Sequence, residues 1–199
     1  MIRCAPVRLV RILGIVIGET FGAVLAAAQG GNEGAFTVLW RDANPALLRY
    51  LRVIAPAAAE DVAADTWVQV VRGLAGFRGD EAAWRAWLFT TGRRRVIDDA
   101  RYRARRPVTP VAEMPAAAMP PGPDTADVVL ERLSTSAALE LVAALPRLQA
   151  EAVALRVLAG LDYEATARLL GRSPGAVRVA AHRGLRRLGQ LLAGTGVTR

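Results

Sequence analysis

The sequence predicts an all-α protein of two small helical domains joined by a Pro-rich linker. Three observations carry that prediction. Apolar residues recur at helical spacing through most of the 199 residues. Gly and Pro fall where helices should end or begin. A linker at residues 107–135, dominated by Pro, Ala and Gly up to Asp124 and poor in core formers, divides the chain, with part of 125–135 able to start the next helix. The boundaries that follow are an extension at 1–20, a first domain at 21–106, a linker at 107–135, a second domain at 136–192 and a tail at 193–199.

Residues 1–20 outline a signal peptide, with Arg3, Arg8 and Arg11 ahead of the apolar run ILGIVIG and small residues at 26–28. Glu19 and Thr20 interrupt the run, which is too short and broken to span a bilayer. Cleavage after Ala28 would also remove the first amphipathic helix. The expectation is an extension, disordered or a misplaced start, with no stable membrane insertion.

The first domain reads as four helices. One covers about 20–28 and stops at Gly30-Gly31. A second runs from Glu33 to Ile54, with a bend or break expected near Asn44 because Pro45 lies inside it. A third runs from about Ala58 to Leu74, with Val62, Thr66, Val70 and Leu74 as its buried row, Trp67 and Val71 beside it, and Gly73 and Gly76 ending it. Asp61 and Asp65 share another face with Gln69 and Arg72. Two acids at i, i+4 cost a few tenths of a kcal/mol, which the macrodipole near a helix start partly offsets. Capping explains them, and so does an acidic face that docks a basic helix.

The fourth helix, from Trp84 to Arg106, follows the loop 75–81. Leu88, Phe89, Gly92, Val96 and Ala100 form its core side. Trp84, Trp87, Thr91, Arg94, Asp98 and Arg101 form the other. Residues 93–106 carry seven Arg against Asp98 and Asp99. Such a face suits a polyanion with bases to stack on. A solvated basic helix with its Trp buried against a neighbour is the competing reading.

In the second domain, 136–145 is helical and Pro146 starts the next helix, which Gly160 ends. Asp162 caps a helix over Tyr163 to Leu170, Gly171 supplies the turn, and Ser173-Pro174 open the last helix. The layout is a helix-turn-helix, with Ala167 small where the two helices cross. Val177, Ala181, Leu185 and Leu188 line one face of its second helix. Arg178, Val179, His182, Arg183 and Arg186 line the opposite face. A helix lying in the major groove needs such a set of long donors for guanine edges, apolar atoms for thymine methyls, and Arg for phosphates.

Charge agrees with that reading. The formal net charge is +8, and every positive side chain is Arg. Residues 168–187 hold six Arg and no acid. Two basic blocks separated by a neutral linker suit two contact points on one polyanion. A single Cys (Cys4) and a single His (His182) exclude an internal disulfide framework and a Cys/His metal site. No phosphate loop or paired catalytic carboxylates stand out. The sequence therefore points away from an enzyme, with no cofactor and no small-molecule substrate.

Four blocks in order are PALLRYLR at 45–52, AEDVAADTWVQVVRGLAGFRG at 59–79, WRAWLFTTGRRRVIDDARYRARRP at 84–107, and 145–188 from LPRLQ to LRRL. Together they resemble the bacterial sigma factors of the extracytoplasmic-function (ECF) group, over about Phe21 to Leu192. The resemblance implies a cytoplasmic protein that binds core RNA polymerase and directs it to promoter DNA. It implies that Asp61, Asp65 and Gln69 dock on polymerase. Phe77, Arg78, Trp84, Trp87, Arg94, Asp98 and Arg101 would read and melt the minus-ten element. Arg178, Val179, His182, Arg183 and Arg186 would read the minus-thirty-five element. An anti-sigma protein is a further partner that it allows. Val179 and Ala180 stand where the group often has polar or basic residues, so base preference does not carry over. The rival readings are a one-component regulator using only 136–192, and a secreted or membrane-attached helical protein using the N-terminal apolar run.

Overall fold

The computed structural model describes residues 17–105 and 136–194; residues 1–16, the linker and the final residues lie outside them, so the readings of a signal peptide and of a disordered extension fall largely outside the described residues. Among the described residues the structure is helical, with no strand. After a 3₁₀ turn at Gly18–Thr20 come α1 (Phe21–Gln29), α2 (Glu33–Ile54), a second 3₁₀ turn (Pro56–Ala58), α3 (Ala59–Leu74) and α4 (Glu81–Arg105). Residues 136–143 form α5, followed by α6 (Arg147–Val157), α7 (Tyr163–Leu170) and α8 (Pro174–Gly194). None of the described helices is long and apolar enough to cross a membrane.

The first domain centres on α2, which packs against α1, α3 and α4. Asn32 caps α2, its side chain accepting from the Ala35 amide at 2.8 Å. Pro45 does not break α2, which continues through it to Ile54. The side chain of Pro45 is exposed while Ala43, Ala46 and Leu47 on either side are buried. Proline at this position removes one backbone hydrogen bond, in a helix whose flanking residues are anchored in the core.

The third helix keeps its expected row, with Val62, Thr66, Val70, Leu74 and Trp67 buried. Val71, however, is exposed. Gly73 does not terminate α3 but lies in its last turn. A Cβ there would come within 2.9 Å of Trp87 Cζ2, so glycine admits the indole. Gly92 similarly lets α4 close on α2, where a Cβ would meet Leu47 Cδ1 at 3.1 Å. The contacts of this domain begin ahead of Phe21. Ile17 packs against the core, and the Gly18 amide donates to Glu81 Oε2 at 2.9 Å.

Asp42 of α2 is buried and bonded to Arg85 Nη2 of α4 at 2.8 Å, while its Oδ1 has no partner. Burial raises its carboxyl from 3.8 to about 6, opposed by the Arg85 charge and assisted by Glu81. A carboxyl raised in the folded state binds its proton more tightly there than in the unfolded chain. Its contribution is therefore complete below about pH 4 and lost as pH rises through about 6. Asp42→Asn is expected to remove that fall, so that wild type loses stability relative to the variant across this window. Urea unfolding in steps from about pH 4 to pH 7 checks it.

In the second domain α6 packs along α8, and α7 crosses α8. Gly184 marks the closest approach: a Cβ would sit 2.8 Å from Val153 Cγ2 and 3.3 Å from Gln149 Cβ. The buried row of α8 is Val177, Ala180, Ala181 and Gly184, with Leu188 packed at its edge. Leu185, expected on the core side, is 52% exposed.

The two domains meet. α6 lies against α2, and α7 against α4. At the junction Glu151 of α6 accepts from Arg93 Nε of α4 at 2.7 Å and from Arg147 Nε at 3.0 Å. Its carboxylate is 4% exposed. The Tyr50 ring is wholly buried nearby, and its hydroxyl has no partner. Burial, with a smaller push from Glu151, drives that hydroxyl well above the usual tyrosine range.

Candidate nucleic-acid interface

The turn of the helix-turn-helix is built by local chemistry. Asp162 caps α7, its Oδ1 accepting from the Ala165 amide at 2.6 Å. Gly171 takes φ 64 and ψ 42, the left-handed conformation that glycine enters without steric cost. The Arg172 amide then returns to the Ala167 carbonyl at 3.0 Å. Ser173 Oγ accepts from the Ala176 amide at 3.2 Å, and Pro174 is the first residue of α8.

This geometry turns Arg178, Val179, His182, Arg183 and Arg186 outward, and all five are exposed. They lie on the side of α8 away from its buried row. Arg183, Arg186 and Arg187 also line a shallow groove with Gln149 and Gln190. The face thus has a mixed part, with Arg178, Val179 and His182, followed by an arginine-rich part. Arg178 stands beside α7: its guanidinium carbon is 5.1 Å from the centroid of the Tyr163 ring.

The other candidate surface surrounds α4. Gly79, with φ 153, bends the chain into it, and Asp80 caps it by accepting from the Ala83 amide at 2.8 Å. Gln29 of α1 holds this loop by donating to the Leu74 and Phe77 carbonyls at 2.9 and 2.8 Å. Arg78 is exposed, but its Nη1 is turned back onto the Ala75 and Phe77 carbonyls at 2.8 and 2.7 Å.

Trp84 requires a correction. It is not on the outer face of α4 but in the core, at 0% exposure. Phe77 meets it edge-on at 5.6 Å, Trp87 is tilted against it at 5.5 Å, and Phe21 lies 6.5 Å away. α4 begins at Glu81, so Trp84 belongs to its first turn, which α1 and the 75–80 loop enclose. A base cannot reach its ring while this cluster is closed. Phe77 and Trp87 are half-buried and stacked on each other at 5.1 Å and 25°. Ala100 is displaced in the opposite direction, from the expected core side to an exposed position.

Arg94, Asp98 and Arg101 are exposed along α4. Asp98 and Arg101 are paired loosely with each other at 3.8 Å. Trp87, Thr90, Arg93 and Arg94 line a cleft against Arg168 and Leu169 of α7. Asp65 opens onto a different groove, lined on the α4 side by Arg95, Asp98, Arg101 and Tyr102. Asp65 is thereby brought beside residues assigned to the minus-ten element. Asp61 is exposed and Gln69 half-buried on the same helix. Periodicity alone did not reveal the Arg93–Glu151 pair, whose partners are 58 residues apart.

Comparison with known proteins agrees with this arrangement. Residues 39–106 match the family model Sigma-70 region 2, and residues 135–188 match Sigma-70, region 4. The chain is 36% identical over 178 residues to the ECF RNA polymerase sigma factor ShbA of Streptomyces griseus subsp. griseus, covering 84% of this chain and 92% of that one. It is 32% identical over 178 residues to the ECF RNA polymerase sigma factor SigD of Mycobacterium tuberculosis (strain H37Rv), covering 86% and 83%. With the ECF RNA polymerase sigma factor BldN of Streptomyces coelicolor it shares 35% identity over 168 residues, covering 83% of this chain but 63% of BldN. The solved structure of CnrH in complex with the cytosolic domain of CnrY has a TM-score of 0.59 at 23% identity, over 88% of this chain and 99% of that one. The structure of the sigma factor RpoE with the anti-sigma factor NepR from Bartonella quintana gives 0.56 at 23%, over 86% and 99%. These two show a shared fold. Two region matches in chain order, and relatives similar over most of their own length, place the chain in the family of ECF RNA polymerase sigma factors.

Proposed function

We propose that this sigma factor, which binds core RNA polymerase and directs promoter-dependent initiation of transcription, assigns its two arginine rows to different promoter elements. The observation that carries the reading is the split of α8 into a buried row and an outward face of Arg178, Val179, His182, Arg183 and Arg186. That face sits after a capped left-handed turn, in the position of a recognition helix. Laid in the major groove at the minus-thirty-five element, Arg178 and His182 reach base edges, Val179 meets a thymine methyl, and the later arginines meet phosphates.

In the same reading, Arg94, Asp98 and Arg101 line the path of the opened minus-ten strand. Phe77, Arg78 and Trp87 form the base-contacting edge of the neighbouring loop, and Trp84 supports that edge from the core. Asp61, Asp65 and Gln69 face polymerase. The protein contributes binding and strand separation, not catalysis, and works in the cytoplasm with its polymerase. CnrH and RpoE were each solved with a protein partner, CnrY in one case and the anti-sigma factor NepR in the other. A dedicated anti-sigma partner is part of the proposal for this chain.

Salt-dependent promoter binding by the reconstituted holoenzyme tests the division within α8. Arg178→Ala is expected to weaken upstream recognition by about 1–3 kcal/mol and relax base preference there. Arg186→Ala or Arg187→Ala should weaken all sequences alike and lower the salt slope by roughly one. If the two classes of variant behave identically, the face does not divide into base-reading and phosphate-binding parts.

A further inference from the structure

We propose that Tyr163 is a positioning residue for upstream promoter recognition: its ring is the platform that holds the Arg178 guanidinium for base contact. The proposal rests on the reading of α8 as the minus-thirty-five helix and adds a residue from a different helix. Tyr163 is the first residue of α7, directly after the Asp162 cap, and is half-buried against the core. Its backbone is therefore fixed by a helix terminus. Two cations lie over its ring, with guanidinium carbons at 4.3 Å for Arg156 and 5.1 Å for Arg178. Both are inside the range of a cation–π contact.

The two arginines are held differently. Arg156, in the last turn of α6, also donates through Nη1 to the Leu161 carbonyl, which ties it to the loop before α7. It is half-buried and serves to fix the ring. Arg178 is exposed and, among the described residues, makes no ion pair. A free arginine on a recognition helix samples many rotamers and loses that freedom when it binds a base. Stacking on a fixed ring narrows the ensemble in advance and leaves the planar fork of donors available. An exposed stack of this kind corresponds to an effect of about 2–5-fold. Placing two like charges on one ring also raises the positive potential where DNA would lie.

The test uses holoenzyme and a promoter fragment that supports run-off transcription, with its minus-thirty-five hexamer randomised. Enrichment of bound sequences reports base preference. Tyr163→Leu and Tyr163→Met remove the π face while keeping apolar bulk; Tyr163→Phe keeps the face. The expected result is about 2–5-fold lower preference at the Arg178-read position for Leu and Met, and wild-type preference for Phe. In an Arg178→Ala background the Leu and Met substitutions should change nothing further. An equal loss in that background, a loss in Phe as large as in Leu, or a shared drop in melting temperature for Leu and Met would make Tyr163 a packing residue and overturn the proposal. If Arg178→Ala relaxes preference but Tyr163→Leu and Tyr163→Met do not, the platform alone is wrong. If Arg178→Ala itself leaves preference unchanged, the base-reading assignment of α8 fails and the platform falls with it.

Discussion

Trp84→Ala is expected to lower the stability of the first domain by about 3–5 kcal/mol, the range for deleting a fully enclosed large aromatic side chain. The ring is enclosed by Phe21, Phe77 and Trp87, and its removal would leave a cavity among α1, α4 and the 75–80 loop. Trp84 Nε1 has no hydrogen-bond partner, so an apolar replacement sacrifices none. Trp84→Phe should accordingly recover part of the loss. The functional signature is a joint fall in melting temperature and polymerase binding that a pre-melted bubble template does not rescue. A Trp84→Ala protein that melts like wild type, but opens promoters slowly and is rescued by a bubble, would place the indole against DNA instead.

The second large effect concerns polymerase binding. Asp61→Arg with Asp65→Arg should abolish capture of core polymerase while the helical fold is retained. Both carboxylates are exposed, so neither substitution opens a core. Asp61 lies in the first turn of α3, where reversing its charge costs about 0.3–1 kcal/mol against the macrodipole. Arginine at position 65 also faces Arg95 and Arg101 across the groove. Those costs are small beside a reversed docking face. Far-UV circular dichroism and a pull-down with core polymerase separate the two effects. A folded double variant that captures polymerase at wild-type affinity would remove the docking assignment.

The helix-turn-helix was legible because its signals are local. Asp162, Gly171, Ser173 and Pro174 each act within a few residues, and each does in the structure what its chemistry predicts. The long helix was harder. Trp84 stands one i+4 step before Leu88, so the spacing itself places it on the core row; grouping it with the arginines followed its chemistry instead of its phase. At 3.6 residues per turn a row of i+4 steps rotates by about 40° each time, which carries Ala100 out of the buried arc. The same drift turns Leu185 to the surface. Gly184 takes the buried place there because α6 comes too close for a side chain.

At Pro45 the outcome excludes a break, since α2 continues through the proline to Ile54. The local rule sees only the missing amide, not the core contacts of Ala43, Ala46 and Leu47 around it. The domain junction had no sequence signature at all. Glu151 and Arg147 are one helical turn apart on α6, and the folded chain brings Arg93 from 58 residues away onto the other carboxylate oxygen. The five residues expected on the outward face of α8 all remain exposed, and the structure adds Leu185 and Arg187 to the exposed side.

The most direct test of the account is run-off transcription from genomic fragments by core polymerase, with and without this chain. The account predicts discrete transcripts from defined start sites only when the chain is present, and none with the Asp61→Arg, Asp65→Arg variant. Contradiction would be a chain that binds duplex DNA with sequence preference by itself, yet gives core polymerase no new start site.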